Sequence, residues 1–397
     1  MVCRLNFHYF ILKRFLIFCS HTMNHRLCFI ADWYQEEAAI IRTFTIHFYL
    51  SDNALEVYEA RTKKMFLRRT RMPELTERDF FVGSKINIFG RQFDIIDYGD
   101  DITKNALAKF RRKTFILVKD TIIQHIGIVL CALIESNFSV NKGMMVQFTA
   151  EQLRAFLGEK NKGDVEVAVL MNQLLTGPCI GFELIADNSV EKLKICQNQS
   201  KDCNLDNVPA ALIALFEKED IRNGIYCSKT DEDAARALSY FFELKNGLQI
   251  ACSLKNSTLA IIKPHCIKEG NLGKIIAEIT NNGFKIAALR MTLMERVNCE
   301  EFYEVYRGIL PEFMPMVAQL ASGVCMALEL VCTDETKNAY QEFRTFCGPM
   351  DPEIAKLLRP NTLRAKFGVN KVLNSIHCTD LADDTIIELQ YLFKILD

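Results

Sequence analysis

The sequence predicts an α+β protein: a small barrel-like β block, followed by two copies of one β-α-β-β-α-β unit. Three observations carry this expectation. Residues 24–110 are dense in β-branched and aromatic runs separated by turn residues. Short apolar segments recur in matched pairs across residues 113–397. Within each copy those segments alternate with amphipathic stretches of helical period.

At 397 residues the chain exceeds one typical core, and 49% apolar with 24% charged residues is ordinary globular composition. A formal net charge of −1 gives no global attraction to nucleic acid or to an anionic membrane. The fifteen cysteines are scattered, form no Cys-x-x-Cys pair and often sit in apolar runs such as "GVCMALELVC". They read as reduced, buried thiols of a cytoplasmic protein, and no histidine stands at zinc-ligand spacing from them.

Taken in order, residues 1–22, "MVCRLNFHYFILKRFLIFCSHT", are apolar and basic. Lys13 and Arg14 split the run, which is too short to span a bilayer and lacks a small-residue cleavage site. An N-terminal extension is expected there, with a compact domain over 23–110. "RTFTIHFYL" (42–50) reads as a strand, "SDN" as a turn, and "ALEVYEA" with "KMFLRRT" as a second hairpin. "SKINIFGRQFDIIDYGD" (84–100) reads as two strands joined around Gly90. The hairpin over 61–72 gathers Arg61, Lys63, Lys64, Arg68, Arg69 and Arg71. It reads either as a contact for an acidic surface or as a solvated hairpin balanced by the "PELTERD" that follows.

The repeat then sets the architecture. "TFILVKD" (114–120) matches "TLAIIKP" (258–264), "GIVLCALIESNF" matches "GKIIAEITNNGF", and "LLTGPCIGFEL" matches "LASGVCMALEL". "NGIYCS" closes the first copy, over 111–247, and "NSIHCT" the second, over 255–397. In the second copy "TLAIIK" is a buried strand, and "GKIIAEITNN" is a helix stopped by Gly283 at its C′ position. "FKIAALRMTLM" and "VCMALELV" are further strands, Asn298 and Glu301 are placed to form a capping box, and "LADDTIIELQYLF" is the last helix. That order implies a ferredoxin-like layer of helices on an antiparallel sheet.

The two closing motifs, with the lysines that follow the first strands, resemble nucleoside-diphosphate kinase domains; together the copies cover 113–397. The preceding block resembles the DM-ten domain. "MNHRLCFIADWY", "DIIDYGD" and "CGPMDPEIAKLLRP" carry a likeness to the tandem members of the family that begin with that domain.

The family transfers a γ-phosphate between nucleotides through a phosphohistidine, with Mg²⁺ accompanying ATP or another nucleoside triphosphate. On the resemblance, His377 is the nucleophile, and Glu388, eleven residues on, fixes its tautomer. Lys263 reaches the phosphates, Arg344 and Arg364 clamp them, Asn374 hydrogen-bonds sugar or phosphate, and Tyr303 walls the pocket. Met350 replaces the family's phosphate-binding threonine, Cys378 replaces the glycine after the histidine, and Phe313 is the candidate for stacking on the base.

The first copy departs at almost every position. Tyr226 stands for the histidine, Ala237 for the glutamate, and Lys194 and Ile213 for the arginines. Lys119 is followed by Asp120, and Asn223 remains. A phenol is a poor nucleophile at neutral pH, so this copy is expected to be a pseudo-kinase held for its shape.

The resemblance implies an axonemal, microtubule-associated protein of the cytoskeleton, cilium or centrosome. Its partners would be tubulin or doublet-microtubule proteins and nucleotides, with no nucleic-acid or membrane partner. Its job would be mainly structural, with nucleotide binding or phosphohistidine transfer in the C-terminal copy. The alternative is an active kinase transferring the γ-phosphate of ATP to nucleoside diphosphates through His377. Two fused copies leave open a hexamer, as in active members, or an internal pseudo-dimer.

Overall fold

The computed structural model describes residues 26–35, 38, 40–107, 112–157, 165–198, 208–242 and 247–396, so the expected extension lies outside the described residues. The chain divides into two compact units, one built on each of two sheets.

The first sheet contains β1 (Arg26–Gln35), β2 (Ile40–Tyr49), β3 (Ala54–Glu59), β4 (Met65–Arg71), β5 (Lys85–Ile88) and β6 (Arg91–Tyr98). Their spatial order is β4-β3-β2-β1-β6-β5. Period-two patterning decides which face is buried: Phe44, Ile46 and Phe48 are fully covered while Thr45 and His47 between them are half-buried. Phe80, from the segment after β4, stacks on Phe48 at 4.2 Å and on Phe29 at 5.5 Å, covering part of the apolar face. Register shifts between β1 and β6 and between β3 and β4 add local twist, which curls the sheet into a half-barrel. Phe89 and Gly90 both have positive φ, as a two-residue turn of mirror-image type demands, so the turn expected around Gly90 is present. Two elements are not anticipated by the sequence reading, the strand β1 and the short helix Asp101–Leu107, where the side chain of Asp100 accepts from the Thr103 amide at 2.7 Å.

The second sheet has eight strands. β7 (Arg112–Val118), β8 (Ser139–Val146), β9 (Cys179–Ala186) and β10 (Ile225–Cys227) come from the first copy. β11 (Ser257–Ile262), β12 (Phe284–Thr292), β13 (Cys325–Cys332) and β14 (Ile376–Cys378) come from the second. The order β10-β7-β9-β8-β12-β13-β11-β14 is one four-strand pattern followed by its mirror in sequence order, which is the ferredoxin-like layer twice over. The copies meet edge to edge where Arg290 of β12 pairs antiparallel with Met144 of β8. The two copies therefore pack against each other within one chain.

Helices Ile126–Glu135 and Leu272–Asn281 cross over that junction. A Cβ on Gly127 would lie 2.4 Å from the Ala277 nitrogen, and one on Gly273 would lie 2.4 Å from the Cys131 nitrogen. Glycine at both positions lets the two backbones touch. The apolar faces merge below, with Val129, Leu130 and Leu133 joining Leu272, Ile275, Ile276 and Ile279 in one core. Gly283 ends the second helix with φ +86, as expected at C′. The capping box expected at Asn298 is not formed: the helix runs Arg296–Phe302 with Glu295 at its N-cap, so Asn298 lies inside its first turn. The acidic residue that fits the sequence spacing is itself helical, and the chain enters the helix three residues earlier than that spacing suggests.

Candidate active site

The edge strand β14 presents His377. Its register against β11 pairs His377 with Ile261, and only three residues are paired, so the histidine sits where the sheet gives way to loops. Just before it, Ser375 takes φ +69, a left-handed conformation that costs a non-glycine residue about 1–3 kcal/mol and is retained only where surroundings dictate it. The Ser375 carbonyl accepts from the Lys263 amide at 3.0 Å, which couples the loop before His377 to the end of β11.

Helix Asp384–Gln390 brings Glu388 onto the histidine. His377 Nε2 lies 3.2 Å from both Glu388 carboxylate oxygens, and Thr379 Oγ1 donates to one of them at 2.7 Å. A carboxylate cannot donate, so Nε2 carries the hydrogen, which in the neutral ring leaves the lone pair on Nδ1. The imidazole is 6% exposed, with the Phe302 ring at 5.0 Å and the Tyr303 ring at 6.0 Å. Tyr303 itself is fully buried, and its hydroxyl is without a hydrogen-bond partner.

Three cations accompany this pair, each held differently. Lys263 follows β11 and is 1% exposed, with Nζ donating to the Val372 carbonyl at 3.1 Å. Burial, reinforced by the Arg364 charge, brings its pKa down to about 7. Arg364, 8% exposed on helix Leu363–Phe367, donates through Nε and Nη2 to the Ile376 carbonyl at 3.2 Å and through Nη1 to the Gly348 carbonyl at 2.9 Å. Those bonds make it a strut under the histidine strand. Arg344, on helix Ala339–Cys347, donates to the Thr379 carbonyl at 3.2 Å and pairs with Asp380, which also accepts from the Tyr306 hydroxyl. Asn374 donates to the Met350 carbonyl at 3.3 Å and leaves its own side-chain oxygen buried and unpartnered. Phe313 lies in the apolar core beside Met316 and Val317, with the Arg307 guanidinium 5.1 Å from its ring centre.

The structure thus brings His377, Glu388, Lys263, Arg344, Arg364, Asn374 and Tyr303 to one end of the sheet. Sequence reasoning missed Thr379, Asp380, Phe302 and Tyr306. Thr379 and Asp380 directly follow the histidine and cysteine, and two polar residues adjoining the motif are a signal that the sequence does carry. The aromatic pair Phe302 and Tyr306 carries none, because core aromatics are common in any helix.

At the matching place in the first copy, Tyr226 on β10 hydrogen-bonds Asp233 at 3.3 Å, and burial together with that carboxylate pushes its hydroxyl well above the ordinary phenol range. Phe156 packs edge-on to its ring, within an aromatic core that includes Phe115 and Phe241. Ala237 is fully buried on helix Asp231–Phe242 and has no polar atom with which to orient a ring nitrogen. Lys119 donates to the Asn223 carbonyl and to Gln173, both at 2.7 Å, repeating the lysine-to-carbonyl bond of the second copy. Asn223 is exposed, Ile213 packs on the core, and Lys194 lines an open pocket of about 380 Å³ beside Lys229 and Asp231.

The family model "Nucleoside diphosphate kinase" matches residues 112–246 and 256–396, and "DM10 domain" matches residues 12–102. "Nucleoside diphosphate kinase homolog 7" of Rattus norvegicus is 38% identical over 377 residues, 94% of this chain and 94% of the relative. Its counterpart from Mus musculus is 37% identical over the same shares. A nucleoside diphosphate kinase of Aquifex aeolicus is 36% identical over 140 residues, 35% of this chain and 95% of the relative. A crystal structure of the Aquifex aeolicus enzyme aligns at 35% identity and TM-score 0.33, covering 35% of this chain and 94% of that one. With both repeats matched and a relative aligned over nearly its full length, the chain belongs to the nucleoside diphosphate kinase family.

Proposed function

We propose that the chain is an axonemal, microtubule-associated protein in which the first kinase copy is structural and the second handles nucleotide. The observation that carries this reading is the contrast between the copies. His377 is held by Glu388 with the neutral ring's lone pair on Nδ1, whereas Tyr226 packs partly buried against an aromatic core and bonds Asp233, which holds its proton on.

In the second copy the nucleophile is Nδ1 of His377. It attacks the γ-phosphorus of a nucleoside triphosphate, the bond to the β-γ bridging oxygen breaks, and the nucleoside diphosphate leaves with that oxygen's charge. The Glu388 carboxylate stabilises the positive charge that grows on the ring, while Thr379 keeps the carboxylate aimed. Arg344 and Lys263 are the cations for the phosphate oxygens. Arg364 acts from beneath, holding the Ile376 carbonyl and so the pitch of β14. The second half-reaction returns the phosphoryl group to an incoming diphosphate. Among the described residues no group of three His, Cys, Asp or Glu side chains is placed to hold a metal. Mg²⁺ carried in with the nucleotide would supply charge neutralisation on the phosphates.

The microtubule contact falls to the basic hairpin of the DM10 domain. Arg69 pairs with Asp52 at 2.9 Å and stacks over Tyr49 at 3.8 Å, and Arg71 donates to the Asp52 carbonyl. Those two arginines maintain the hairpin, which leaves the exposed Arg61, Lys63, Lys64 and Arg68 as the contact for an acidic surface.

The test uses the full chain with γ-labelled ATP and Mg²⁺, then a GDP chase. Label retained by wild type, absent in His377→Ala and chased into GTP supports the nucleotide half. In parallel, Lys63, Lys64 and Arg68 are changed to glutamate and assayed by microtubule pelleting at two salt concentrations. Unchanged pelleting refutes the hairpin contact. A second reading, an active kinase with regulatory N-terminal parts, is favoured by the same His377–Glu388 geometry. It requires Mg²⁺-dependent turnover that His377→Ala abolishes, whereas the structural reading requires that the variant keep its location and binding partners.

A further inference from the structure

Asp380 lies three positions past His377, and three side chains from other elements converge on it. Arg344 Nη1 donates to one carboxylate oxygen, and the Tyr306 hydroxyl donates to the other. The Tyr340 hydroxyl donates to the Asp380 carbonyl at 2.6 Å. Tyr340 and Arg344 stand one turn apart on helix Ala339–Cys347 and so share a face. Tyr306 belongs to the turn that follows helix Arg296–Phe302 and Tyr303. Asp380 thereby joins the arginine helix, the aromatic wall of the site and the end of the histidine strand.

The Arg344 side chain is 45% exposed, and a long chain at a rim would swing through many orientations if untethered. Its Nη1 is held twice, by the Thr379 carbonyl at 3.2 Å and by Asp380. Among the described residues no protein acceptor engages Nε or Nη2. Those two nitrogens form one edge of the guanidinium fork, whose parallel N–H bonds match two oxygens of a phosphate. Burial pushes the Asp380 carboxyl up, but the bonds from Tyr306 and Arg344 hold it below the ordinary carboxylate range, so it is ionised at neutral pH. The copy without the histidine also lacks this arrangement: Val190, Lys194 and Lys229 stand at the positions of Tyr340, Arg344 and Asp380.

We propose that Asp380 is a positioning residue for nucleotide binding: with the Thr379 carbonyl it occupies Nη1 of Arg344 and leaves the Nε–Nη2 edge, in a fixed orientation, for a phosphate of a nucleoside diphosphate or triphosphate. The inference rests on the reading that the second copy handles nucleotide. Asp380 itself acts through Arg344 and not on the ligand. Two effects of the carboxylate oppose each other, since its charge repels an incoming phosphate while its grip orders the cation that phosphate needs. Both of its oxygens are already bonded, one of them to a guanidinium, and it is partly open to solvent. Its repulsion is therefore weak beside the ordering it supplies.

The test is calorimetric titration of the full-length chain with ADP and Mg²⁺, which reads binding without phosphate transfer. Asp380→Ala should weaken binding roughly three- to tenfold, the loss expected when the ligand must itself order one rotamer-rich side chain. Asp380→Asn keeps an amide oxygen for Arg344 and should bind within about twofold of wild type. In an Arg344→Ala background, Asp380→Ala should add no further loss. Equal or tighter binding in Asp380→Ala would overturn the proposal, because the carboxylate would then be idle or compete with phosphate for the arginine. A loss of the same size in the Arg344→Ala background would also overturn it, since the residue would act through packing alone. If the alanine variant does not fold, Asp380→Glu makes the same test: it keeps the charge but displaces it by a methylene, so weaker binding supports the proposal and unchanged binding refutes it. Those failures leave the nucleotide reading standing, whereas no ADP binding by wild type would sink that reading and this proposal together.

Discussion

Replacing Lys263 with methionine tests whether a buried cation is maintained at the expense of stability. The ammonium is 1% exposed and has one hydrogen bond, to the Val372 carbonyl at 3.1 Å. Its pKa falls from 10.5 in a solvated chain to about 7 in the fold, chiefly through burial and then through Arg364. That difference is worth on the order of 5 kcal/mol against folding when the lysine is charged in both states. Because the folded value lies below the unfolded one, the penalty is full below pH 7. It declines as pH rises and is gone above about 10.5. Lys263→Met removes the charge at similar volume and leaves the Val372 carbonyl unpaired, which costs about 1–3 kcal/mol. Net stabilisation of roughly 2–4 kcal/mol is expected at pH 6, with the gap between variant and wild type narrowing by roughly 2–3 kcal/mol at pH 9. Urea unfolding followed by far-ultraviolet circular dichroism suits the measurement, since the single tryptophan, Trp33, reports on the other unit. Nucleotide affinity should fall in the same variant. A variant that is less stable at pH 6, or a gap that widens with pH, would refute the reasoning.

Two further predictions address the paired copies. Gly127→Ala drives a Cβ to 2.4 Å from the Ala277 nitrogen, a backbone atom that cannot swing aside. The helices must separate, costing about 1–3 kcal/mol, partly offset by the helix preference of alanine, and thermal melting of the full chain should drop by a few degrees. Tyr226→His should not make the first copy a phosphohistidine site, because Ala237 offers no acceptor for the ring and Ile213 and Lys194 stand in place of the arginines. In a His377→Ala background the double variant should retain no label from γ-labelled ATP; label on residue 226 would contradict the account of the dismantled site.

Periodic and repeated features are legible in the sequence. The strands β11 and β13 are largely apolar runs bounded by turn residues, and such runs are strands wherever both faces are covered. The duplicated segments by themselves give the number of kinase-like units. The site residues that sit at fixed distance from a motif, Glu388 and Asn374 on either side of His377, can be placed in the same way. The use made of each group is not written there. Arg364 and Arg344 look alike as letters, yet one is consumed by backbone carbonyls and the other pairs with an acid at the surface. That difference comes from burial, which depends on elements distant in the chain. Phe313 suits a base contact by being aromatic and near the right place, but its position in the core follows from helix facing that a short motif cannot define. The closing of β12 by β8 is also beyond reach, since a strand edge carries no mark naming its partner.

The persistence of a kinase-like copy with Tyr226 in place of the histidine becomes intelligible from that edge. For turnover of nucleotide alone, residues 112–242 look dispensable, but removing them would strip β12 of its neighbour and uncover the helix Leu272–Asn281 along its apolar face. Ile275, Ile276 and Ile279 are fully buried in one core with Val129, Leu130 and Leu133, and exposing the three isoleucines would cost roughly 5–9 kcal/mol. The penalty is comparable to the whole stability of a typical domain. The requirement falls on strand pairing, two glycines and an apolar face, and the Tyr226 side chain contributes to none of them. Catalytic residues in the first copy can therefore be lost without structural consequence, while its fold cannot. A kinase-like copy that lacks the family's histidine yet keeps its fold is what a tandem of interlocked copies allows when the structural requirement falls on packing.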